Sequence, residues 1–159
     1  MAADLLSQAE HGVDSQVVLV AIELPQSILS DVESQVDVQA RALERVDIVR
    51  ESVSRSIIVQ VANVDAALEF SNDYAPEHLI LHIKHAADAI ARVQNAGSVF
   101  VGPFSPERQV YIRFLTPNVA LMMVDGYLPC RALLVAVGTT HREQIIHCQR
   151  MDMHANIVV

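Results

Sequence analysis

Two short stretches of this chain set polar, reactive side chains into apolar surroundings. In "LLSQAEH", Gln8 and His11 stand three residues apart, and on a helix that spacing makes them neighbours on one face. An amide oxygen and an imidazole so placed can hold one metal ion between them. A solvated helix end with a capping histidine gives the same pattern, and is its commoner meaning. In "YAPEHLIL", Glu77 and His78 follow a proline at the start of an apolar run. A carboxylate beside an imidazole offers two proton-transfer groups near neutral pH. The competing reading is a surface pair with no task. His82 has the strand parity of His78, and His85 begins the next helix; both read as structural. The chain has no G-x-G-x-x-G, G-x-x-x-x-G-K, G-x-S-x-G or C-x-x-C, so a self-contained nucleotide-phosphate site is unsupported.

The elements that must carry these residues alternate. Residues 2–11 read as a helix ended by Gly12, and "VVLVAIEL" (17–24) is a continuous apolar run of the buried-strand kind. Ile28, Val32, Val36 and Ala40 recur along an amphipathic helix that Pro25 opens. "SIIVQVAN" (56–63) is a second strand, and Val64–Tyr74 a helix that stops before Pro76. "HLILHI" (78–83) is a third strand. Ala86, Ala89, Ile90 and Val93 mark a helix, and "SVFVG" (98–102) follows the turn Asn95-Ala96-Gly97. Strands near 17–22, 57–61, 79–83 and 98–102, separated by helices, predict a parallel sheet with helices on its faces. In such sheets ligands gather where strands meet loops, which is where Glu77 and His78 stand.

The chain has 159 residues, enough for one domain with a core. Its net charge of -8 argues against a nucleic-acid partner. No apolar run spans a membrane, and Asp4, Glu10 and Asp14 exclude a signal peptide. A soluble, cytoplasmic protein is expected. Cys130 and Cys148 have no metal-type spacing and form no disulfide framework. Beyond Gly102 only Gly126 and Gly138 remain of the five glycines, few for a folded stretch. From Pro103 onward the sequence is apolar without a sustained period, so residues 109–159 are predicted to be irregular or poorly packed.

Four stretches, "MAADLLSQAEHGVDSQVVLV", "RVDIVR", "NDYAPEHLIL" and "NAGSVFVGPFSPE", resemble histidinol dehydrogenase in its order and spacing. The similarity is to the fungal form, in which this domain ends a multifunctional histidine-biosynthesis protein. It divides the chain into a histidinol dehydrogenase-like α/β fragment (1–107) and a tail (108–159) with no domain of its own. It implies an incomplete, Rossmann-like parallel sheet and a two-step, NAD-dependent oxidation of L-histidinol through the aldehyde to L-histidine. It also implies a zinc ion that positions the substrate, and a homodimer whose sites are shared between subunits. Carried over by motif, Gln8 and His11 become zinc ligands. His78 takes protons during the oxidations, and Glu77 helps activate the water that attacks the aldehyde. The resemblance assigns no NAD-contacting residue here, because the half that makes most of those contacts is absent. The family's G-D-Y-S-S-G-T-N-H-T-L-P-T-Y-G-Y-A-R segment, with a zinc aspartate and an active-site histidine, does not follow "SPE". This chain by itself is therefore expected to be inactive.

The tail has its own explanation. Each pair of neighbouring residues, reverse-translated and read from the third base of its first codon, permits only a few amino acids. Met151-Asp152 forces glycine and Met153-His154 forces alanine; Glu143-Gln144-Ile145-Ile146-His147 permits Thr-Asn-His-Thr. From Val137 to Val159 every step permits the missing family segment. The tail reads as that segment in the wrong frame, with about Arg108 to Val137 as a retained intron or an equivalent insertion. On this reading His141, His147, His154 and both cysteines are accidents of frame. A non-catalytic α/β binding module, or a metal-binding protein using its histidines, are the competing classes, and both need the tail to be real.

Overall fold

The computed structural model describes residues 1–102 in full. Beyond them it describes the backbone of segments 111–116, 119–123, 132–137 and 155–157. Cys130, Cys148, His141, His147 and His154 lie outside the described residues.

Helix α1 (Ala2–Ala9) leads into β1 (Gln16–Ile22), followed by α2 (Gln26–Ala40) and α3 (Val46–Val53). Then come β2 (Ile57–Val61), α4 (Val64–Tyr74), β3 (His78–His82), α5 (Ala86–Ile90) and β4 (Ser98–Val101). β1 pairs in parallel with β2, and β3 with β4. The four strands and most helices stand where the apolar runs and periods place them. Every residue of β1 is buried, which is why it shows no alternation. Pro25 is the N-cap of α2, and Asn63 caps α4 by accepting the Ala66 amide at 2.9 Å.

Two features differ from the sequence reading. Helix α3 was assigned no element there. Its signal, Val46, Val49 and Val53 at helical spacing, fills only eight residues, a window too short for periodicity to speak clearly. Second, the tail expected to be irregular contributes four strands: β5 (Tyr111–Thr116), β6 (Val119–Met123), β7 (Ala132–Val137) and β8 (Ala155–Ile157). The sheet order is β5-β6-β4-β3-β7-β1-β2-β8. β7 runs antiparallel to both β1 and β3, so β1 and β3 point the same way. "ALLVAV" has no period, but a short apolar run can form a strand without one, and an unpaired strand edge accepts a backbone that reaches it. Ladder hydrogen bonds do not depend on reading frame.

The helices divide between the faces of the sheet. On one side, Leu68 and Phe70 of α4 and Ile90 of α5 pack against Val20, Leu79 and Val99. On the other, Leu5 of α1 and Leu29 of α2 pack against Leu19, Ile80 and Phe100. Strand parity therefore turns His78, Ile80 and His82 toward α1. The start of β1 is pinned to the end of α3 by hydroxyls. Ser52 Oγ donates to the Ser15 carbonyl at 2.9 Å, and the Val17 amide donates to Ser56 Oγ at 3.0 Å. No helix among the described residues is long and apolar enough to cross a membrane.

Candidate active site

The site is made where the C-terminal half of α1 crosses the first residue of β3. Gln8 is buried on α1, and its Oε1 lies 2.9 Å from His78 Nδ1. An amide oxygen can only accept, so Nδ1 carries the proton and Nε2 keeps its lone pair. That free nitrogen lies 4.0 Å from Glu77 Oε1. The Phe100 ring meets the His78 imidazole edge-on, with centroids 5.9 Å apart, and the His11 ring centroid stands 6.5 Å away. Four residues separated by up to seventy positions are thus brought together: Gln8 from α1, His11 from the turn just after it, and Glu77 and His78 from the mouth of β3; α1 ends at Ala9, two residues short of the helix read from sequence.

The backbone around the pair is tightly specified. Helix α4 ends in a left-handed residue, Ala75, at φ 54°, a conformation that disfavours a side chain. Pro76 then fixes the exit. The Gly97 amide donates to the Pro76 carbonyl at 2.9 Å, and the Ser98 amide to the Glu77 carbonyl at 2.7 Å. The loop before β4 therefore clamps the peptide that carries Glu77 and His78.

His78 is about one-third exposed and Glu77 well exposed, at 31% and 59%. Burial holds the His78 imidazole below its ordinary value of 6.5; Glu77 pulls it up and the neighbouring His11 pushes it down. A neutral imidazole at pH 7, with one nitrogen anchored and the other open, is built to accept a proton.

Zinc fits these residues only in part. Gln8 at the end of α1 and His11 in the turn after it offer suitable donors, but the Gln8 oxygen is turned to His78. No group of three or more His, Cys, Asp or Glu side chains among the described residues could hold a metal. A catalytic zinc ordinarily takes three protein ligands, so the described residues make an incomplete set. His82, read as structural from sequence, is buried and lies 3.6 Å from Asp4. Asp4, Gly97 and Phe100 were not singled out by sequence. Asp4 stands four residues before Gln8, a spacing that could have revealed it.

An α/β domain with parallel strands, an imidazole–carboxylate pair at a strand mouth and possible metal donors at the end of the helix above it defines a class of proton-transfer site. Comparison with known proteins makes it particular. Residues 1–113 match the family described as histidinol dehydrogenase, and the chain belongs to that family. It is 59% identical over 107 residues to the histidine biosynthesis trifunctional protein of Neurospora crassa, covering 67% of this chain and 12% of that protein. It is 49% identical over 106 residues to the histidinol dehydrogenase of Schizosaccharomyces pombe, covering 67% and 24%. The crystal structure of histidinol dehydrogenase from Elizabethkingia anophelis superposes with a TM-score of 0.63 at 43% identity, over 67% of this chain and 24% of that one. The chain thus spans a quarter or less of the length of these relatives.

Proposed function

We propose that this chain carries the acid–base pair, and part of the metal-binding set, of an enzyme that oxidises L-histidinol to L-histidine. The carrying observation is the state of His78: neutral, its Nδ1 proton held by Gln8, and Nε2 open beside Glu77. In the first oxidation His78 takes the hydroxyl proton as the alcohol becomes an aldehyde; NAD, when bound, would supply the hydride acceptor for both oxidations. In the second, water adds to the aldehyde carbon, with Glu77 accepting a proton from it. His78 then takes the remaining proton as the hydrate is oxidised to the carboxylate. Gln8 and His11 are the residues that would hold zinc, whose chemistry is to fix the substrate's position; the remaining ligands come from outside the described residues. The partner subunit of a homodimer of the longer, joined-frame protein is the proposed source of one of them, and the cytoplasm the proposed location.

We further propose that residues 108–159 are not a domain but a retained intron followed by the next family segment in the wrong frame. The permitted codons from Val137 to Val159 support this. Read in the joined frame, the protein gains the aspartate and histidine that the described residues lack. The test is L-histidinol-dependent NAD reduction by the joined-frame protein and its His78→Asn variant. Loss of a general base lowers rate by about 10²–10⁴-fold. Activity that survives His78→Asn would overturn the assignment.

A further inference from the structure

Asp4 and His82 form a second contact between α1 and β3, buried where the Gln8–His78 contact is half open. Asp4 is 7% exposed and His82 6%. The His82 Nε2 and Asp4 Oδ2 atoms lie 3.6 Å apart, and Nε2 has no hydrogen-bond partner among the described residues. The Met1 amino group also reaches Asp4, at 3.0 Å. The spacing repeats that of the site: Asp4 and Gln8 are four apart on the helix, His82 and His78 four apart on the strand. Both imidazoles project toward α1, and Ile80 between them packs in the cluster that includes Leu5.

We propose that the Asp4–His82 pair is a positioning element: it holds α1 over β3 in the register in which Gln8 accepts the His78 Nδ1 proton. The apolar contacts of Leu5 and Ile80 are non-directional and tolerate sliding. A slip of one residue along α1 turns its side chains by about 100°, which carries Gln8 away from His78. The same slip strands a buried carboxylate and imidazole, each without its partner, and such groups are expensive to leave unpaired. The pair therefore penalises wrong registers more than it strengthens the right one. This inference rests on the reading of Gln8 and His78 as site residues, but its test does not use activity.

The test is the tautomeric state of His78, read from the ring-nitrogen chemical shifts of the ¹⁵N-labelled 159-residue chain. The intact chain should show His78 protonated at Nδ1. Asp4→Leu and His82→Leu, which keep apolar bulk beneath α1, should each lose that signature and give the tautomer mixture of a free imidazole. Asp4→Asn, which keeps a short polar group facing His82, should restore it. A folded Asp4→Leu or His82→Leu chain that retains the Nδ1 proton on His78 overturns the proposal. So does unfolding of both leucine variants, because the pair would then hold the fold and not the register. If the tautomer responds as stated while His78→Asn leaves histidinol oxidation intact, the positioning claim stands and the catalytic reading fails.

Discussion

Replacing Gly97 by alanine probes the clamp that fixes Glu77 and His78. A Cβ added at Gly97 would sit 2.7 Å from the Glu77 carbonyl oxygen, and 3.4 Å from both its carbonyl carbon and its Cα. These are backbone atoms, and the same oxygen accepts the Ser98 amide at 2.7 Å, so it cannot swing aside without loosening the β3–β4 junction. Overpacking of this kind costs roughly 1–3 kcal/mol, and a weakened backbone hydrogen bond adds about 1 kcal/mol. Alanine also restricts the unfolded chain, which returns about 0.4–1 kcal/mol. The net expectation is a loss of about 1–3 kcal/mol. Gly12 supplies the control. A Cβ there would also meet an atom at 2.7 Å, but that atom is Oδ1 of Asp14, the tip of an exposed side chain that can rotate away. Gly12→Ala should change stability by no more than about 0.5 kcal/mol. Urea denaturation of the two variants beside the parent chain, followed by circular dichroism, separates them. If Gly97→Ala and Gly12→Ala unfold at the same denaturant concentration, the clamp does not constrain the site as argued.

Three further expectations concern the cap, the buried carboxylate and the message. Asn63→Ala removes the side chain that accepts the Ala66 amide and should cost about 1 kcal/mol in denaturant unfolding, loosening the helix that delivers Pro76. Burial pushes the Asp4 carboxyl up, but His82 and the terminal amino group outweigh this and hold it below its ordinary 3.8. Its stabilising contribution is therefore present above pH 3.8 and is lost as pH falls through the lowered value. Asp4→Asn should accordingly flatten the acid limb of a stability–pH curve, and an unchanged limb would contradict it. Complementary DNA from the source organism should lack most of the segment encoding Arg108 to Val137 and join "GPFSPE" to the G-D-Y-S-S-G-T-N-H segment. A mature message that keeps this segment and ends after Val159 would rule out the intron reading.

The fold was legible where hydrophobic pattern and chain punctuation agreed. β1 announced itself as an unbroken apolar run, and α4 by the proline behind it. α3 was not, because eight residues hold too little period. β7 was not either, since a short paired strand and an unselected apolar run look alike in sequence. The candidate residues were legible as types at suggestive spacing, yet spacing alone favoured the bland reading of both pairs. What spacing could not show was that Gln8 meets His78 across the fold, leaving Nε2 open. Asp4 and His82 were missed for a related reason: each looks like an ordinary residue until β3 is laid under α1.

The two half-reactions, measured separately, test the assignment of Glu77 and His78 most directly. The joined-frame protein would be given NAD with either L-histidinol or the corresponding aldehyde, and NADH formation followed for the parent, Glu77→Gln and His78→Asn forms. His78→Asn should slow both oxidations by about 10²–10⁴-fold. Glu77→Gln should slow the aldehyde oxidation, which requires attack by water, far more than the alcohol oxidation. Equal loss of both steps in Glu77→Gln, or either step surviving in His78→Asn, would contradict the account.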